Sequence, residues 1–215
     1  MSNHSLSWNE KGAMICNALA RPLVGLGMLL GRISSWLVLL IIVSVLISVF
    51  LNFIRINEVV NWEQDIPLFG RAITISSMID LQWHLFGVLT MLSGAYALHC
   101  DTHVRVDLIY QKLSPRGRAV IDILGHVCLL LPFCLLTAWF SKSFVMMSFV
   151  SGEGSGFGGL IDRYLIKSII PIGMLLLAIA AVGEVLKKMA ILLAPPFIGN
   201  DVERSHISGG DYDAS

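Results

Sequence analysis

Charge is scarce in this chain. Asp, Glu, Lys and Arg make up 14% of its 215 residues against 55% hydrophobic, and the mean hydropathy is +0.76. Ordinary soluble domains carry roughly 25% charged residues, so a soluble globular domain is excluded. Net charge is lacking too: fifteen basic and fifteen acidic residues cancel. Nothing global therefore points to nucleic acid, and the information lies in where the charges fall. Cysteine pairing is also missing. Cys16, Cys100, Cys128 and Cys134 show no CxxC spacing, which excludes a disulfide framework or zinc-ribbon reading. A cleavable leader is not expected, because the first long apolar run follows Lys11, Arg21 and Arg32 and no A-x-A-like site comes after it.

What is present is a set of long apolar runs. A hydrocarbon core of about 30 Å needs roughly 20 apolar residues at about 1.5 Å each. Four stretches meet that need, giving expected spans at about 33–54, 81–98, 120–140 and 164–186. The fold class expected is an all-α integral membrane protein with four transmembrane helices plus membrane-surface amphipathic helices. Residues 1–32 form a cytoplasmic or interfacial arm, 33–188 the four-helix membrane domain and 189–215 a flexible cytoplasmic tail. Arg21-Pro22 divides the apolar stretch at 12–31 and argues against a fifth span.

The charges orient these spans. Lys11, Arg21 and Arg32, then Arg105, Lys112, Arg116 and Arg118, then Lys187, Lys188 and Arg204 fall on alternate sides from Arg55, Arg71, Lys142, Arg163 and Lys167. The richer side belongs in the cytoplasm, so both termini are expected there. Local signals fit: Ser77-x-x-Asp80 ahead of Leu81 reads as a capping-box-like start, and Ser114-Pro115 as an N-cap with proline at the first helical position. Val106, Ile109, Tyr110 and Leu113 recur at helical spacing, predicting a surface helix at about 104–113. Its neighbours Arg105, Lys112, Arg116 and Arg118 are expected to contact anionic lipid headgroups, at about 1 kcal/mol each.

Chemistry inside the membrane is sparse. No Asp, Glu, Lys or Arg lies near the middle of a span, which argues against an autonomous carrier, whose ion and proton sites depend on such residues. Ser44, Ser48 and Asn52 form one polar stripe, and Gly87, Thr90 and Gly94 a small-residue face on the second span; both suit helix packing, within the chain or against a partner. Haem b between paired imidazoles is an alternative for a four-helix bundle, but His84 and His126 differ in expected depth by about 10–15 Å. No cofactor, metal or catalytic residue is expected, and the Gly-rich 151–156 segment lacks the Lys-Ser/Thr pair of a phosphate-binding loop.

The runs Gln82-Trp83-His84-Leu85-Phe86, Ala95-Tyr96-Ala97-Leu98, His103-Val104-Arg105-Val106-Asp107-Leu108-Ile109-Tyr110 and Leu113-Ser114-Pro115-Arg116 stand in this order. Glu153, Ser155, Gly159-Leu160, Arg163, Lys167 and Pro171 follow. The pattern resembles the small membrane subunit of the tripartite ATP-independent periplasmic (TRAP) transporters, over about residues 33–188. Two departures stand out: Ile161-Asp162 where many relatives have a proline, and a first outer connection, Arg55 to Asp80, longer than usual. The resemblance implies a non-enzymatic subunit of the bacterial inner membrane. Its partners would be a large permease subunit, which holds the sodium and substrate sites, and a periplasmic substrate-binding protein. The substrate class it implies is small organic acids.

Overall fold

The computed structural model describes residues 8–100, 114–155 and 159–193. The expected surface helix at 104–113 and the tail beyond 193 lie outside the described residues.

The first helix, α1 (Trp8–Phe53), has 46 residues, which at about 1.5 Å rise makes it about 69 Å long, more than twice a hydrocarbon core. It runs through Pro22, where a boundary was expected. Proline removes one backbone hydrogen bond and costs about 3 kcal/mol in a helix interior. Packing on both sides of it offsets that cost: Ala13 sits against Ala190, and Leu23 against Gly183. The buried side of α1 carries small residues every seventh position, Ala13, Ala20, Gly27 and Ser34, then Ser48. A seven-residue repeat keeps one face toward its neighbours with a left-handed supercoil.

After α1 the chain forms an antiparallel hairpin of β1 (Glu58–Ile66) and β2 (Gly70–Thr74), which corrects the all-α expectation. β-branched Val59, Val60, Ile73 and Thr74 favour extended backbone. The register shifts between Asn61 and Ile66, so Trp62-Glu63-Gln64-Asp65 bulges from the ladder. Trp62 Nε1 donates to Gly70 O at 2.6 Å across the hairpin. At the tip Leu68 and Gly70 take left-handed φ of 74° and 66°.

α2 (Ile75–His99) starts six residues before the expected Leu81, capped by Thr74 and closed by a capping box with Ser77. The Ser77-x-x-Asp80 start is thereby corrected, since the Asp80 carboxylate is committed elsewhere, accepting from Leu160 N at 3.2 Å. α3 (Pro115–Gly125) begins as expected, with Ser114 Oγ accepting from Gly117 N at 3.2 Å. One π-helical turn, His126–Leu130, joins it to α4 (Leu131–Ser151). Pro132 explains the wide turn: it has no N–H and its ring crowds the carbonyl four residues back, so the Leu131 N–H reaches five residues back to His126 O. α4 continues eleven residues beyond the expected end at Phe140, through Lys142. It stops where Gly152 takes φ +59°, with Gly152 N on Phe149 O and Glu153 N on Ser148 O, a Schellman ending.

The last helix, α5 (Tyr164–Leu193), packs on α1, α2, α3 and α4. Small side chains let it serve as the hub: Gly173, Ala178, Ala180, Ala181, Gly183 and Ala190 are buried along it. Around Ala180 and Ala181 gather Ala95 and Leu98 of α2 and Leu177, Leu130 and Leu131. Among the described residues, three helical stretches are long and apolar enough to cross a membrane: Lys11–Phe53, Arg116–Ser151 and Tyr164–Leu193. α2, at 25 residues, is about 37 Å long, but Gln82, His84, Thr90 and Ser93 dilute its apolar character.

Candidate packing interface and polar clamps

Glycine decides where the helices approach most closely. A Cβ on Gly27 would run into the His99 ring, and one on Gly31 into Tyr96, so α1 and α2 touch nearly backbone to side chain at this GxxxG pair. A Cβ on Gly173 would lie 2.7 Å from Met91 Cβ, and one on Gly183 3.1 Å from Leu23 Cβ. None of these four positions is among the packing residues expected from the sequence. The Gly27-x-x-x-Gly31 spacing was the available signal, hidden because that segment was assigned to an arm outside the membrane.

The two expected stripes divide differently. Ser44 and Ser48 are buried on α1, Ser48 Oγ donating to Ser44 O at 2.8 Å and receiving Gln82 Nε2 of α2 at 2.8 Å, while Asn52 is exposed. On α2, Gly87 faces α5 through Ile166 at 3.8 Å. Thr90 is exposed, its hydroxyl turned back to Phe86 O, and beyond its own turn of helix Gly94 has no atom of the described residues within 4 Å of where a Cβ would stand. Trp83 is exposed beside Phe86, the rings edge to face at 6.5 Å. The outward side of α2 is thus small and hydroxyl-bearing in its second half, whereas α1 and α4 turn Leu, Ile, Val, Phe and Met outward.

Ion pairs tie both ends of α5. Near its C-terminal end, buried Glu184 accepts from His99 Nδ1 of α2 at 2.6 Å and from Lys187 Nζ at 3.0 Å. Lys188 Nζ reaches buried Asp122 of α3 at 2.9 Å. Glu184 lies inside the expected fourth span, and neither it nor Asp122 was singled out from sequence, because nothing local names a partner many residues away. His84 and His126 each turn Nδ1 to the carbonyl four residues back, Asp80 O at 2.6 Å and Asp122 O at 2.5 Å.

At the opposite end Glu153 gathers Lys167 Nζ, Ser148 Oγ at 3.0 Å and Arg163 at 3.8 Å, and Lys167 also lies over the Phe144 ring at 4.1 Å. The hydrogen bond from Lys167, then that from Ser148, holds the Glu153 carboxyl below its ordinary range. Ser155 N donates to Leu160 O at 3.0 Å, and Pro171 lies within α5 two turns on. The hairpin tip docks here: Ile161 N donates to Leu68 O at 2.9 Å, and Asp162 Oδ2 accepts from Leu68 N at 3.5 Å. The two departures from the resembled pattern, the long first connection and Ile161-Asp162, are therefore in contact with each other. A proline at 161 would have no N–H to give Leu68.

Among the other expected positions, Ser114 caps α3, Pro115 opens it, Arg116 is exposed and Arg118 half-buried. His103, Arg105, Asp107 and Lys112 lie outside the described residues.

The sequence model of the family described as tripartite ATP-independent periplasmic transporters, DctQ component, matches residues 67–190, more than half of the chain. That stretch runs from the hairpin tip through α2, α3 and α4 to the C-terminal clamp on α5. Comparison with curated proteins and with solved structures found no match. A hub helix clamped at both ends within a small apolar bundle agrees with the matched stretch: the chain belongs to the DctQ family, the small permease component of TRAP transporters, and is a transporter component, not an enzyme.

Proposed function

We propose that this chain is a scaffold subunit that crosses the bacterial inner membrane four times with both termini cytoplasmic. It stabilises and positions the large sodium-coupled permease subunit for uptake of a small organic acid delivered by a periplasmic binding protein. The observation that carries this reading is the fate of the carboxylates: Asp80, Asp122 and Glu184, on α2, α3 and α5, are each engaged by groups of this same chain. Such groups brace helices, and sodium and substrate ligands are left to the partner. The outward face of α2 at Thr90 and Gly94 supports a second element of the proposal, that the large subunit packs there, since small residues at membrane depth favour close helix approach. Arg105, Lys112, Arg116 and Arg118 contact anionic headgroups in this arrangement. The haem alternative has no support in the family match.

Reporters fused after Arg118 and Lys188 should read cytoplasmic, and one after Asp65 periplasmic; any reversal breaks the four-span layout. Uptake normalised to assembled complex, measured across sodium concentrations, tests the scaffold role. Ser44→Ala, Ser48→Ala and His84→Ala should leave sodium dependence and substrate preference intact. A substitution here that altered the number of coupled sodium ions without affecting assembly would place transport chemistry in this chain and overturn the reading.

A further inference from the structure

His99 closes α2, and its side chain is 2% exposed. Nδ1 stands 2.6 Å from Glu184 Oε1, and a carboxylate only accepts, so Nδ1 carries a proton. Nε2 is buried with no hydrogen-bond partner among the described residues. It lies against Gly27 of α1, where an added Cβ would sit 2.6 Å from it. Neutral, the ring presents a bare lone pair to α1. Doubly protonated, it would turn an unpaired N–H toward α1 while Nδ1–H keeps its bond to Glu184.

Among the described residues, few groups face the ring besides the Glu184 carboxylate. From α5, Glu184 is already met by Lys187, and Lys188 meets Asp122 of α3. From α1 the facing residue is Gly27, while Arg21 and Arg32 lie on exposed positions of that helix. On α2 itself Tyr96 fills the neighbouring turn against Gly31.

We propose that His99 is a proton-sensitive latch: the neutral imidazole lets α1 close on the end of α2 at Gly27, and the imidazolium opens that contact so that water reaches Nε2. The opening separates α1 from the α2–α5 pair, which the Nδ1–Glu184 bond still joins. The inference rests on packing at this end of the bundle and does not depend on which membrane face it occupies.

The test uses the full chain with its large subunit in lipid nanodiscs. Hydrogen exchange of peptides covering Gly27–Gly31 and Tyr96–Cys100, corrected for the intrinsic pH dependence, should accelerate roughly tenfold or more as pH falls from about 8 to about 5, the population change set by one unpaired buried donor. His99→Gln, which can still donate to Glu184 but does not titrate, should abolish that step while keeping the slow high-pH rate. The same corrected profile in wild type and H99Q overturns the proposal. Should H99Q fail to assemble, nitrogen-15 spectra of the wild-type imidazole decide: the expected result is a neutral ring protonated at Nδ1 at high pH that gains a second proton as the exchange step occurs. A ring charged throughout, or one that titrates with no change in exchange, overturns it.

Discussion

Adding one methyl group at Gly173 should destabilise the isolated chain, while a much larger addition at Gly94 should not. In Gly173→Ala the new Cβ would stand 2.7 Å from Met91 Cβ and 3.3 Å from Met91 O. Carbon atoms pack at about 3.5–4.0 Å, so α2 and α5 must part locally by about 1 Å, which forfeits up to half of each dispersion contact across the seam. Overpacking of this kind costs about 1–3 kcal/mol, and replacing a helical glycine by alanine returns about 0.5–1 kcal/mol. The expected net loss is about 1 kcal/mol, within a span of about 0–2.5 kcal/mol. At Gly94 no atom of the described residues outside its own turn lies within 4 Å, so Gly94→Leu meets none of them near its Cβ. SDS-titrated unfolding of the isolated chain, followed by helical circular dichroism, measures the first effect, and co-purification with the large subunit measures the second. G173A should lower both stability and complex yield, whereas G94L should lower complex yield alone. Equal unfolding midpoints for G173A and wild type would refute the packing argument, and undiminished complex with G94L would remove the large subunit from that face of α2.

Two further outcomes test the clamps. Lys188→Met removes the ammonium 2.9 Å from the buried Asp122 carboxylate and should cost about 1–3 kcal/mol, part of which the double variant Asp122→Leu/Lys188→Met recovers; independent, additive losses in a double-mutant cycle would show that the two do not act as a pair. Because the Glu153 carboxyl is depressed below its ordinary 4.5 in the folded chain, its contribution is fully present above that value and is lost as pH falls below it toward the folded one. Unfolding midpoints should therefore drop in acid below about pH 4.5 in wild type, and Glu153→Gln should flatten that drop; an identical acid profile in the variant would free Glu153 from the tie.

Much of this molecule was legible in the order of its residues. Three of the four expected apolar runs, Ser114-Pro115 at the head of α3 and a pattern resembling TRAP small subunits all depend on neighbours within a few positions, and each stands in the structure or the family match. The hairpin is not legible locally, because its β-branched residues are scattered through a charged connection, and neither is the unbroken α1, because the packing that offsets Pro22 comes from residues far along the chain. Tertiary structure alone decided the pairings. His99 and Glu184 are 85 positions apart, and Gly27 meets His99 while Gly94 meets no described residue outside its own turn. Helical periodicity determines which residues share a face, but rotation and crossing of packed helices determine which face each one meets. The same glycine is therefore a tight contact in one helix and open surface in another.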